Sequence, residues 1–265
     1  MFTSHLGAIY RFRGFVLGSV KREFALRYRN SMLGGAWLVL QPLAQIVVFT
    51  VVFSQVMKAR LPGVESAFAY GIFLCAGLLT WGLFAEIVNR CQTVFLDHAN
   101  LLKKLNFPRI SLPVIVILSA CTSFGIIFGL FTLLLLVSGS FPGWSYFAVF
   151  PVLAVQILFA VGLGMNLGVL NVFFRDIGQL FGIVLQFWFW LTPIVYPIST
   201  LPDWAARVVR LNPMTPLVEA HQGALLLGEF PRWSSLLPVA IASVVLCVLG
   251  LLLFQRRSGE IVDEL

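Results

Sequence analysis

The sequence predicts an all-α membrane protein, and three observations carry that prediction. Hydrophobic residues make up 59% of the 265 and charged residues only 11%, against roughly a quarter charged in a soluble domain. Six apolar runs, 33–57, 68–89, 110–137, 144–174, 177–196 and 233–254, each reach the about 20 residues that a helix needs to cross the hydrocarbon. None shows the alternating ten-residue pattern of a membrane β-barrel. No linker, low-complexity segment or obvious internal repeat divides the chain, so 1–265 reads as one transmembrane domain with six spans.

Residues 1–32 carry basic residues throughout and lack the uninterrupted apolar core of a cleavable signal peptide. At about 100° per residue, Arg11, Arg22 and Arg29 share one stripe while Phe12, Val16, Val20 and Phe24 sweep another. That predicts an interfacial helix, with Glu23 and Arg27 intruding on its apolar side. A basic flank that only fixes topology accounts for the charge but not for the aromatic spacing. In the first span, Gly34, Trp37, Gln41, Gln45, Val48 and Gln55 fall within a narrow stripe. The second span closes on Glu86 and Arg90, four apart and placed for an ion pair.

Between the second and third spans lies "FLDHANLLKKLNFPR", 95–109, with start and stop signals of its own. Asp97 is placed as an N-cap, and Asn106 followed by Pro108 as a stop. Leu101, Leu102 and Leu105 give an apolar face, and Lys103 and Lys104 suit the negative end of the helix dipole. The third and fourth spans reverse through only "SGSFPG", 138–143, so a longer loop points either to a docked partner or to a helix resting on lipid. Spacing alone leaves both open.

The third and fourth spans each hold a GxxxG pattern, Gly125 with Gly129 and Gly164 with Gly168, which predicts close helix packing. The run at 144–174 is longer than a crossing needs, so it tilts or extends past the bilayer. Arg175 and Asp176 read as a topology anchor and local pair at the next turn. In the fifth span Gln179, Gly182, Gln186, Trp190 and Pro193 form one stripe, and Phe181, Val184, Trp188 and Leu191 the other. Polar residues in a span turn from lipid, which places Trp190 inside and Trp188 towards lipid. The segment 197–232 predicts two short helices. One follows Pro202 and Asp203 and ends before Asn212 and Pro213; the other starts with Thr215 as cap and Pro216, and stops at Gly228. "ALLL", 224–227, demands burial, which a re-entrant hairpin would meet. The C-terminal "SGEIVDEL" reads as a solvated acidic tail.

Lysine and arginine fall unevenly about these spans. With the N-terminus inside, the inner segments hold six in 1–32, four from Arg90 to Arg109, then Arg175, Arg256 and Arg257. The outer loops hold Lys58, Arg60, Arg207, Arg210 and Arg232. Positive charge marks cytoplasmic loops, so both termini are placed in the cytoplasm. The formal charge of +7 is then that of membrane flanks facing anionic lipid, and no nucleic-acid partner is expected. Cys75, Cys91, Cys121 and Cys247 lie in or beside spans without metal-ligand spacing and read as buried small hydrophobes. His5, His98 and His221 are isolated, and neither HExxH nor GxxxxGK[ST] occurs. No metal or catalytic site is expected, and any nucleotide is bound by another chain.

Five stretches together resemble the permease subunits of polysaccharide-exporting ABC transporters, which export O-antigen, capsule and teichoic acid chains. They are "RYRNSMLGGAWLVLQPL" (27–43), "LLKKLNFPRISLPV" (101–114), "FFRDIGQL" (173–180), "FWFWLTPIVYP" (187–197) and "LNPMTPLVEAHQGALL" (211–226), in the family's order. The resemblance implies that the loop at 95–109 is a coupling helix docked on a separate ATPase, with Asp97, His98, Leu101, Leu102, Lys103, Lys104 and Leu105 carrying the contact. It further implies a homodimer in the bacterial inner membrane paired with two ATPases that hold the ATP and Mg. The conduit would run between the permease copies, and the short helices of 197–232 would shape its exit. One departure stands out: "EAHQGALL" has His221 and Gln222 where such permeases commonly carry an arginine.

A glycan cannot enter hydrocarbon unaided, because each unpaired hydroxyl is costly there. Trp37, Gln41, Gln45 and Gln55, with Gln179, Gln186 and Trp190, are the candidate conduit lining: amides for hydroxyls, indole faces for sugar rings. The alternative is that the glutamines bond neighbouring helices. Arg27 and Arg29 would meet the phosphates of a lipid-linked substrate at the cytoplasmic entrance, or else ordinary anionic headgroups. The expected function is ATP-driven export of a lipid-linked polysaccharide. An exporter of a small hydrophobic compound would need only a pocket entered from lipid. A membrane-embedded transferase would need a cluster of His, Asp or Glu, which the sparse acidic residues argue against. A scaffold of a glycan synthesis complex would leave the polar stripes unexplained.

Overall fold

The computed structural model describes residues 12–28, 33–52, 69–104, 111–257 and 259–264. Every regular element among them is helical. An amphipathic α1 (Arg13–Tyr28) precedes α2 (Trp37–Val51), the long α3 (Ala69–Asp97) and the short α4 (Ala99–Lys104). Then come α5 (Ser111–Val137), α6 (Val149–Phe173), α7 (Asp176–Trp190), α8 (Asp203–Leu211) and α9 (Met214–Gln222). A π turn (Gly223–Leu227), α10 (Trp233–Arg257) and α11 (Glu260–Glu264) complete the chain.

Four helices among the described residues are long and apolar enough to cross a membrane: α3, α5, α6 with its leading 3₁₀ turn, and α10. The six expected spans are thus met in part. Helix α7 has 15 residues, about 22 Å at ~1.5 Å per residue, short of the ~30 Å hydrocarbon, and the described part of α2 also has 15. The expected fifth span to 196 stops at Trp190 because a turn follows and Pro193 and Pro197 cannot donate to a continuing helix. The end of the expected first span, 53–57, lies outside the described residues.

Helix α3 is the axis of the bundle, in contact with α2, α5, α6, α7 and α9. Of its apolar window 72% is buried, against 22% for α10, although α3 is the least apolar of the four. That inversion is what a membrane dictates: lipid accepts only apolar faces, so Thr80 and Gln92 sit at the centre. Phe84, Phe95 and Phe131 are fully buried in the core rather than facing lipid.

Of the two GxxxG patterns, the second makes the close contact. A Cβ on Gly164 would lie 2.7 Å from the Cys91 Cβ, and one on Gly168 2.4 Å from the Cys91 carbonyl oxygen. Around Gly125 and Gly129 there is nothing within 4 Å, so their faces are open in the single protomer. The reversal at 138–143 uses Gly139 (φ 68°) and Gly143 (φ 73°), where a side chain would be strained.

The second span was expected to end at 89, with Asp97 capping a new helix. Instead α3 runs unbroken to Asp97, whose Oδ2 accepts from Thr93 Oγ1 of its own helix (2.7 Å). The C-terminal tail is not simply solvated: α11 buries Ile261 completely and packs against α6 and α4. A helix does form in the expected N-terminal segment, α1, with Val16 buried and the helix laid against α5.

Gly168→Ala forces α6 away from the Cys91 carbonyl. It is expected to cost about 1–3 kcal/mol and to lower the melting temperature in detergent, whereas Gly129→Ala should leave it within a degree or two.

Candidate functional site

The end of the bundle that carries α4, on the side where the expected topology puts the cytoplasm, is assembled from α1, α3 and α4. Arg90 near the end of α3 donates to Glu23 of α1 (2.8 Å) and to Glu86 (3.4 Å). The predicted Glu86–Arg90 pair is therefore half of a three-residue network, and the charge of Glu23 on an apolar stripe is explained by its partner. Just beyond, His98 Nδ1 lies 2.9 Å from the Val94 carbonyl, which leaves α4 hanging directly from α3. Leu102 turns into the core, and Lys103 is exposed. Leu105 lies outside the described residues, as do the side chains of Leu101 and Lys104.

Above this end, three residues join α3, α6 and α7. Asn171 Nδ2 donates to the Gln92 carbonyl (2.9 Å), the Gly178 N–H donates to Asn171 Oδ1 (2.9 Å), and Gln92 Nε2 donates to the Gly178 carbonyl (3.2 Å). The ring fixes the first turn of α7 to the helix that bears α4. Neither Gln92 nor Asn171 belonged to a sequence motif; two amides late in apolar runs were the available signal. Arg175 and Asp176 stand exposed at the turn beside the ring, with no direct ion pair between them.

Helix α7 presents two different faces. Gln179, Gly182, Gln186 and Trp190 are exposed together, flanked by Leu180, Ile183 and Phe187. On the other side Phe181 packs against the core. Trp188, expected to face lipid, sits instead among Trp81, Phe84 and Phe159 and donates its indole N–H to Asn212 (2.7 Å). The two expected stripes hold only in part: Pro193 is buried while Val184 and Leu191 are exposed, and Trp188 faces protein because an indole N–H needs an acceptor and hydrocarbon has none. On α2, Trp37 and Val48 are exposed. The side chains of Gln41, Gln45 and Arg27 lie outside the described residues, as do Gln55 and Arg29.

A second joint closes the opposite end. Asn212 donates to the Leu191 carbonyl (3.2 Å) and Thr192 Oγ1 (2.9 Å), while its Oδ1 accepts from Trp188 and from the Met214 N–H (2.9 Å). The expected cap, Thr215, instead donates its hydroxyl to the Val209 carbonyl (2.7 Å). Gln222 Nε2 reaches the carbonyls of Pro193 and Ile194, freed where α7 stops, and that of Phe73 in α3, at 3.2–3.4 Å. A neutral amide supplies these donors without burying the charge of an arginine. His221 is buried too, with Nδ1 2.8 Å from the Leu217 carbonyl. As expected from "ALLL", Ala224 and Leu225 are buried, and the Ala224 carbonyl accepts from Ser145 Oγ (3.0 Å).

Replacing Asn212 with Ala strands the Trp188 N–H and two acceptors. It should destabilise the outer end by about 1–3 kcal/mol, visible as faster proteolysis between α7 and α9 while the inner end keeps its protection.

The arrangement holds apolar spans and two amide joints, and among the described residues no group of His, Cys, Asp or Glu is placed to hold a metal ion. The family model for ABC-2 type transporters matches residues 16–226. The O-antigen export system permease protein RfbA of Myxococcus xanthus is 32% identical over 260 residues, 97% of each chain. A Klebsiella pneumoniae protein of the same name is 26% identical over 245 residues, 92% of each. The polysialic acid transport protein KpsM of Escherichia coli is 22% identical over 249 residues, 92% of this chain and 93% of its own. Multiple spans and near full-length likeness agree, and the chain belongs to the ABC-2 type transporter family as a multi-pass membrane permease subunit.

Proposed function

We propose that this permease exports a lipid-linked polysaccharide of the O-antigen or capsule kind across the bacterial inner membrane, driven by a separate ATPase. The observation that carries the reading is the exposed face of α7, where Gln179, Gln186 and Trp190 lie among Leu180, Ile183 and Phe187. Glutamines at membrane depth do not rest in lipid. A second copy of the chain covers that face, and the space between copies becomes the conduit, with Trp37, Gln41, Gln45 and Gln55 contributing from α2. The relatives' names, O-antigen export and polysialic acid transport, support a glycan as cargo over a small hydrophobic compound.

In this reading α2 and α7 complete six spans, both termini lie in the cytoplasm, and 197–232 forms the outer gate. The loop at 95–109 docks on the ATPase through Asp97, His98, Leu101, Leu102, Lys103, Lys104 and Leu105. Movement of α4 passes along α3 to the Gln92–Asn171–Gly178 ring and so into α7. Arg27 and Arg29 receive the diphosphate of the carrier lipid at the inner surface.

The test is ATP hydrolysis and export by the reconstituted permease with its ATPase. Leu101→Asp with Leu105→Asp should insert normally yet lose ATPase association and at least tenfold of export. Unchanged association and export would show that the loop only rests on lipid. Asn171→Ala should still bind the ATPase but waste hydrolysis, with several-fold less glycan moved per ATP. Arg27→Gln with Arg29→Gln should lower export without lowering the amount of assembled protein.

A further inference from the structure

The end of the bundle opposite α4 holds a cavity of about 530 Å³, a size typical of small-ligand sites. Its walls come from the turn after α7, from α8 and α9, from the π turn and from the start of α10. Five ionisable residues line it: Arg210 and Arg232 with Asp203, Glu219 and Glu229. The ion pairs among the described residues lie elsewhere, at Arg90 with Glu23 and Glu86 and at Arg257 with Glu260. Packing around the Glu219 carboxyl raises its pKa, and Arg210 and Arg232 pull it back, so charges of both signs meet across the space without closing on one another. Phe73, Leu226, Leu227 and Phe230 give the wall an apolar part, beside the polar Ser199, Gln222 and Ser235. Close by in sequence, Trp204 and Trp233 are 69% and 52% exposed, as indoles are at a membrane–water boundary.

We propose that this cavity binds the headgroup of a zwitterionic phospholipid, its phosphate on Arg210 and Arg232 and its ammonium on Glu219 and Glu229. Two cations beside three carboxylates suit a ligand that carries both signs better than a purely anionic one. A neutral sugar would be recognised by uncharged donors and acceptors, and the amide in this lining, Gln222, already serves three backbone carbonyls. A phosphate with an ammonium two carbons away also occurs on soluble phosphoethanolamine. The apolar wall and the exposed tryptophans select the form that carries acyl chains. The inference rests on the chain's place in a membrane and not on its cargo.

The test is native mass spectrometry of the delipidated full-length chain, titrated with phosphatidylethanolamine, phosphatidylglycerol or soluble phosphoethanolamine. Phosphatidylethanolamine should bind about tenfold more tightly than phosphatidylglycerol, a difference of about 1.4 kcal/mol. Glu219→Gln with Glu229→Gln should abolish that preference, Arg210→Gln with Arg232→Gln should weaken both lipids about tenfold because both carry the phosphate, and Arg210→Lys with Arg232→Lys should keep both affinity and preference. All four residues are exposed to the cavity or to solvent, so the variants should melt with the wild type. Equal binding of the two lipids overturns the proposal, as does a preference unchanged in the glutamate variant or an affinity for both lipids unchanged in the arginine-to-glutamine variant. Soluble phosphoethanolamine binding as tightly as the lipid overturns the lipid assignment. No glycan or ATPase enters the measurement, so its failure and that of the export reading are separate results.

Discussion

One constraint underlies the joints of this bundle: a polar group placed in hydrocarbon is stabilised by a partner within the protein. The chain meets it with side-chain amides bonded to main-chain carbonyls. Gln156 donates to the Thr80 carbonyl (2.7 Å), and Asn166 to the carbonyls of Gly162 (2.7 Å) and Leu246 (2.8 Å). Gln92, Asn171, Asn212 and Gln222 do the same where helices end. Each amide ties two elements without a formal charge, so the bundle gains fixed joints at a lower desolvation cost than ion pairs would impose. The ion pairs that do form involving α3 lie at its inner end, where Arg90, Glu23 and Glu86 are only partly covered.

These joints divide the molecule into parts that move together. Helices α3, α6 and α10 share a core closed by glycine contacts, at Gly164 and Gly168 on Cys91 and at Gly162 on Leu246 and Cys247. Helix α7 is held at its start by Asn171 and at its end by Trp188 and Asn212, while the face between is open. It is a strut fixed at both ends and free along one side, the form that suits a wall shared with a second protomer.

Much of the fold was legible because hydropathy and helix signals are local. The four long spans, the Glu86–Arg90 pair, the Pro202 and Gly228 boundaries and the burial of Ala224 and Leu225, though not of Leu227, follow from short windows of sequence. What escaped was long-range. Glu23 read as a flaw in an amphipathic stripe until Arg90, 67 residues away, supplied its partner. Trp188 was assigned to lipid because its acceptor, Asn212, stands 24 residues on. The tail reads as acidic and solvated in sequence because the partners that bury Ile261 lie on α4 and α6, far away in the chain. Periodicity finds faces; it does not say which neighbour covers each.

The close approach of α6 to Cys91 also has a mechanical consequence. Helix α3 is an unbroken rod of 29 residues, and the tight contact falls near its inner end. At ~1.5 Å per residue, Cys91 stands about 9 Å from Asp97 and about 33 Å from Ala69. If the rod tilts on that contact, it is a lever with unequal arms, and a displacement of 1 Å at the inner end becomes roughly 3–4 Å at the outer one. The fulcrum is made of glycine, where bulk is smallest and the two backbones come closest.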